Sequence, residues 1–214
     1  KHLKILIPSI IAGLLVAFLG WQGGQVVESE LAPLVVTMHL LVSLGLLSLL
    51  TYVTQQSYYI SNPEADRGGH YPRGGTALVG TLWLLVIVQV LLGGHVRGAL
   101  EKLTLAYPLS GDLELLGKVG VMIWIHPILG GIVALFTWIV GLRLLSGGEP
   151  VGLVKQGVWW IMLLVAGQLM LGLGLISIGT PPLLQVFHLW LAALLIGALL
   201  SIYTALKRGG PVTS

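Results

Sequence analysis

Cysteine is absent from the 214 residues, and charge is scarce. Without thiols the chain cannot form disulfides or iron–sulfur clusters, and it cannot ligate heme iron through thiolate. The redox compartment stays open. Charged side chains make up 9% of the sequence, where a soluble domain carries roughly 25%. Hydrophobic residues make up 56%, and the mean hydropathy is +0.95. These proportions place the chain in a bilayer. The formal charge of +3 is small and dispersed, which excludes nucleic acid as a partner. Residues 3–20 are apolar but run straight into the body of the protein, so no cleavable signal peptide is expected. The sequence starts at Lys1 rather than methionine, as a piece trimmed from a longer protein would.

Six apolar stretches are present, at 3–24, 33–54, 76–96, 119–143, 156–177 and 182–206. Each approaches the ~20 residues that a spanning helix needs. Helices are the expected form, because lipid offers the backbone no hydrogen-bond partners. The fold class is therefore all-α: a polytopic bundle of six transmembrane helices. Pro33, Pro181 and Pro182 fall near helix starts, where proline is tolerated. Pro8 and Pro127 fall inside their stretches, where they can bend the helix.

With six spans, both termini and the loops 55–75 and 144–155 share one side. That side holds Lys1, Lys4, Arg67, Arg73, Arg143, Lys155, Lys207 and Arg208, with His2 and His70. The other side holds only Arg97, Lys102 and Lys118 as cations, beside Glu28, Glu30, Glu101, Asp112 and Glu114. The positive-inside rule then makes both termini cytoplasmic, in a multi-pass protein of the cell (inner) membrane. The division expected along the chain is a first helix pair at 1–54, a cytoplasmic loop at 55–75, a four-helix bundle at 76–206 and a cytoplasmic tail at 207–214.

The helix pairs repeat one another. Gly23-Gly24 precedes His39, Gly93-Gly94 precedes His126, and Gly172-Leu173-Gly174 precedes His188. The first glycine and the histidine lie 16 residues apart in the first and third pairs and 33 in the second, whose outer loop is longer. Each unit is a helix with a glycine patch, an outer loop, and a returning helix with a histidine. Ionisable groups at membrane depth are costly and mark functional sites, and imidazole ligates heme iron.

His126 and His188 lie at similar depth and are candidate axial ligands of one iron porphyrin. The alternative is a pair of polar residues hydrogen-bonded across helices. His39 has the same depth but no matching partner; it belongs to a second site, faces an open axial position, or is a satisfied core residue. His95 at the end of the third stretch is a candidate metal ligand or propionate contact, or an interface residue. Arg97 beside it is the stronger propionate candidate, since guanidinium pairs bidentately with carboxylate; its ordinary role is that of a snorkelling side chain. The glycine patches serve close helix packing or leave room for a flat macrocycle. Trp21, Trp124, Trp159, Trp160 and Trp190 read as interfacial or packing residues. Glu28 and Glu30 could act as acid or base, but belong to a solvated loop.

The run Gln89-x-x-x-Gly93-Gly94-x-Val96-Arg97, then His126, then Gln168-x-x-x-Gly172 and Pro181-Pro182 before His188-Leu189 resembles the heme A synthase family. Val35 to Leu41, around His39, looks like the fourth helix of that family. The resemblance covers nearly the whole chain and implies two fused four-helix halves, of which this chain contains the equivalent of helices three to eight. It implies a heme b cofactor on His126 and His188, heme O as substrate near His39, and oxidation of a heme O methyl group to the formyl group of heme A. It also implies a role in cytochrome oxidase assembly; the charge placement puts the heme site near the outer face, and a homo-oligomer or respiratory-complex partners stay open. The chain departs from the family in three ways. It lacks the first two helices with the acidic catalytic loop, it lacks paired loop cysteines, and it has Pro127 where arginine is usual. The catalytic acid or base is therefore unassigned. The alternative function is that of a non-catalytic membrane cytochrome b passing electrons within a respiratory complex. A third is a structural or transport subunit without cofactor.

Overall fold

The computed structural model describes residues 3–67, 69–147 and 149–211. Lys1, His2 and residues 212–214 of the tail lie outside the described residues. The chain forms α1 (Leu3–Glu28), α2 (Pro33–Ser61), β1 (His70–Tyr71), α3 (Gly75–Ala106), α4 (Asp112–Lys118), α5 (Met122–Ser146), α6 (Gly152–Ser177), α7 (Pro182–Leu206) and β2 (Gly210–Pro211). The six long helices are apolar and long enough to cross a membrane, as the sequence requires. Pro33 and Pro182 open α2 and α7, and Pro8 and Pro127 stay inside α1 and α5.

Two boundaries differ from the sequence reading. Helix α2 runs on to Ser61, and α3 runs on to Ala106 instead of stopping near residue 96. At 32 residues, α3 is about 48 Å long and outreaches a hydrocarbon core of about 30 Å. Apolar patterning marks where lipid ends, whereas a helix continues into water as long as its residues tolerate it. His95 therefore lies within α3 and does not end it. The connection from α3 to α5 also contains the unexpected α4, whose Leu115 and Leu116 pack with Leu100 of α3. On α4, Lys118 donates to Glu114 at 2.7 Å, which lowers the carboxyl pKa and raises that of the ammonium. Both groups are solvated, so the pair stabilises little.

Helices α3, α5, α6 and α7 close a ring, each packing on the next. Their seams follow three- and four-residue steps: Val79, Leu82, Val86 and Val90 on α3, and Ala192, Leu195, Leu199, Ile202 and Leu206 on α7. Such stripes suit the left-handed crossing common in membrane bundles. Helix α2 lies outside the ring against α7 and α3, and α1 packs mainly on α2. The main core takes Leu44 from α2 and nothing from α1.

One end of the bundle is tied by polar contacts. His70 pairs with both Glu149 and Gly210, so the α2–α3 connection, the α5–α6 connection and the C-terminal segment meet there. Gln55 of α2 donates to Ser201 O (2.8 Å) and to Tyr59 Oη (2.9 Å), and it accepts from the Thr204 hydroxyl. Tyr59 donates to Asp66 (2.8 Å), whose other oxygen accepts from the Leu153 amide (2.9 Å). Gly152 makes that approach possible. It has φ +50°, and a Cβ there would collide with the Asp66 carboxylate. The network joins α2 to α6 and α7 with both carboxylate oxygens of Asp66 engaged, which is how buried polar groups become stabilising.

A candidate bis-histidine site

The two histidines of the ring face each other. His126 lies four residues into α5 and His188 six into α7, or about 6 Å and 9 Å from the helix starts. Their ring centroids are 6.5 Å apart, with the planes at 70°. Two imidazoles bound to one metal ion through bonds of about 2 Å place their centroids roughly 6 Å apart. The separation therefore fits a pair of axial ligands.

Each ring is set by a glycine and a glutamine on the partner helix of its hairpin. Gly93 of α3 faces His126, where an added Cβ would stand 3.0 Å from Cε1. Gly172 of α6 faces His188 in the same way at 3.5 Å. Gln89, one turn before Gly93, donates to the His126 carbonyl at 2.7 Å and lies 3.0 Å from its Nδ1. Gln168, one turn before Gly172, donates to the His188 carbonyl at 2.9 Å. A Cβ on Gly130 would meet the Gln89 amide at 3.0 Å, so that position must stay small for Gln89 to reach His126.

Several polar atoms here are buried without a partner: Oε1 of Gln89 and Gln168, and Nδ1 of His188. A metal-bound imidazole directs its other N–H to an acceptor. Neither glutamine oxygen reaches a ring: at His126 the Gln89 amide nitrogen faces Nδ1, which therefore accepts, and Nδ1 of His188 is unpaired. The glutamines were visible in the sequence as part of the repeat, but their positioning role was missed. The signal was their constant place four residues before the glycine.

The third unit has the same glycine–histidine contact and little else. A Cβ on Gly23 of α1 would lie 3.8 Å from His39 Cε1. Leu19 stands four residues before Gly23, where the other hairpins have glutamine. The His39 carbonyl accepts instead from Ser43 on its own helix (2.8 Å), and His39 Nδ1 and Gln22 Oε1 are buried and unpaired. Among the described residues no second histidine ring packs against His39.

Arg97 and His95 separate. Arg97 is one turn beyond Gly93 on the same face of α3, exposed and without an ion-pair partner among the described residues. His95 is also exposed, but two residues from Gly93 and so about 200° around the helix. The structure thus brings together His126, His188 and their glutamines, with Arg97 above, and leaves His95 and His39 apart from them. Glu28 closes α1 and accepts from Gln25 at 2.8 Å, and Glu30 lies in the α1–α2 connection.

This geometry defines a class: a polytopic helical membrane protein with paired histidines facing one another inside a four-helix ring. The family model of cytochrome oxidase assembly proteins matches residues 3–200, so the chain belongs to that family, the heme A synthase family. No curated protein and no solved structure matches the chain. Membership gives the chain a role in cytochrome oxidase assembly and heme A synthesis, and implies heme binding.

Proposed function

We propose that the chain holds heme b between His126 and His188 and serves the oxidation of a heme O methyl group to the formyl group of heme A. The observation that carries this reading is the 6.5 Å separation of two imidazoles backed by glycine. Family membership supports the reaction. A bis-histidine heme supplies one-electron transfer when bound.

The chain's own residues supply the setting. Gln89 and Gln168 fix the histidine backbones by donating to their carbonyls, and Gln89 also donates to the His126 ring. Gly93 and Gly172 leave the space that a larger side chain would take from the rings. Arg97, one turn further outward, is placed for a propionate, as a guanidinium fork matches a carboxylate. Lipid-facing helices keep the pair away from bulk water. The charge asymmetry supports an orientation with the histidines toward the outer face and both termini cytoplasmic. His39, held against Gly23, is the candidate substrate-side histidine.

A second reading has its own support. His39 has no facing histidine among the described residues. Electron transfer through a single bis-histidine heme needs none.

Pyridine hemochrome analysis of the purified protein, with chromatography of hemes from membranes supplied with heme O, tests both. The enzyme reading expects bound heme b and new heme A. Heme b without heme A favours the electron-transfer reading. A protein with no Soret band contradicts both.

A further inference from the structure

Two grooves open along the seam between α2 and α7. One, of about 430 Å³, is apolar and is lined by Leu47 and Thr51 of α2 and by Trp190, Ala193, Leu194 and Gly197 of α7. The other, of about 360 Å³, lies at the end where the C-terminal segment packs, and its walls include Lys4, Tyr52, Gln56, Tyr203, Lys207 and Arg208. The α7 positions 190, 193, 197, 200, 204 and 207 advance by three or four residues, which keeps them on one stripe. The two grooves are therefore consecutive stretches of a single furrow. From Leu194 to Lys207 it is about 20 Å long, a little more than one leaflet of a ~30 Å hydrocarbon core.

The two ends differ in chemistry. Lys4 and Lys207 are exposed, and neither has an ion-pair partner among the described residues. Lys207 Nζ sits 4.5 Å over the Tyr203 ring, so its ammonium protons remain free for an anion. Arg208 donates to the Ala65 and Pro63 carbonyls and stacks on Tyr59 at 4.1 Å, adding positive charge. Asp66 is the nearest acid in this network, and both its oxygens are already engaged by Tyr59 and Leu153. Asp66 keeps its charge and offsets Arg208 across Tyr59, which leaves Lys4 and Lys207 as the unpaired cations of the mouth. Beyond it the furrow becomes apolar and opens sideways. Gly197 keeps the floor low: even a Cβ there would lie 3.7 Å from the Thr51 hydroxyl oxygen.

We propose that this furrow is a binding site for one anionic phospholipid from the leaflet at the basic end of the bundle. The phosphate sits between Lys4 and Lys207, and an acyl chain lies along Thr51 and Gly197. A free phosphate shares the headgroup chemistry but has no use for the apolar stretch. The site is independent of the heme reading.

Native mass spectrometry of the full chain in detergent, titrated with phosphatidylglycerol, phosphatidylcholine or inorganic phosphate, tests the proposal. One phosphatidylglycerol should be retained in preference to phosphatidylcholine. Lys4→Gln and Lys207→Gln should each weaken retention roughly five-fold. Gly197→Leu should weaken it by filling the furrow, and Ala193→Leu repeats that test from the same wall. Helical circular dichroism identifies variants that have folded. Equal retention of both lipids would overturn the proposal, as would unchanged retention in the double lysine variant or in both folded leucine variants. Displacement of phosphatidylglycerol by equimolar inorganic phosphate would overturn the lipid assignment in favour of a soluble anion.

Discussion

In the four-helix ring, His126 and His188 stand 6.5 Å apart, each with a glutamine on its carbonyl. In the first hairpin, His39 rests on Gly23 in a similar manner but is capped by Ser43 of its own helix and faces no second histidine among the described residues. The shared unit is therefore the glycine–histidine contact across a hairpin. What turns that contact into a paired site is a second hairpin docked face to face and a glutamine one turn before the glycine. The core follows the same division: among the described residues it fills the ring, takes Leu44 from α2 with Leu40 packed against it, and takes none from α1.

The comparison breaks most clearly at the histidines. His188→Ala should abolish six-coordinate heme b binding, because one axial ligand disappears, whereas His39→Ala should leave heme b content unchanged; the pyridine hemochrome yield per protein measures both. Replacement of Gln168 by leucine is the next largest change. Loss of a group that orients a metal ligand typically costs 10–100-fold in affinity, so heme b retention should fall by about ten-fold or more. Leu19→Gln, which installs a glutamine in the first hairpin, should not alter it.

The link between the two regions can be broken separately. Asp66→Ala leaves the Tyr59 hydroxyl and the Leu153 amide without their acceptor. It should cost about 2 kcal/mol of stability, read as a lower thermal midpoint with the bound heme spectrum intact below the transition. The smallest effects grade along the glycines. An added methyl meets the facing histidine at 3.0 Å for Gly93, 3.5 Å for Gly172 and 3.8 Å for Gly23. Gly93→Ala should cost about 1–2 kcal/mol by overpacking, Gly172→Ala less, and Gly23→Ala nothing measurable. Thermal melts of the three variants order them.

Much of this was legible in the sequence. Long apolar runs translate directly into spans, because a bilayer leaves the backbone few options. The Gly–His repeat also pointed to the paired histidines, since each lies four to six residues into the returning helix of its hairpin. The ends of α2 and α3 were not legible, because hydropathy reports where lipid stops and not where a helix does. The Gln55–Tyr59–Asp66–Thr204 network was missed for a different reason. Gln55 and Tyr59 are one turn apart, but Thr204 lies 149 residues from Gln55, and only the packing of α2 on α7 brings them together. His95 was misplaced at a helix end by the same boundary error, and helix phase then separates it from Gly93.

The central claim is that the ring, and not the first hairpin, holds the heme b ligands. Low-temperature electron paramagnetic resonance of the oxidised protein tests it directly in wild type, His126→Ala, His188→Ala and His39→Ala. The account predicts a low-spin ferric signal in wild type and in His39→Ala, and its loss or conversion to high spin in the two ring variants. A low-spin signal that survives in both ring variants, or that vanishes in His39→Ala, would contradict it.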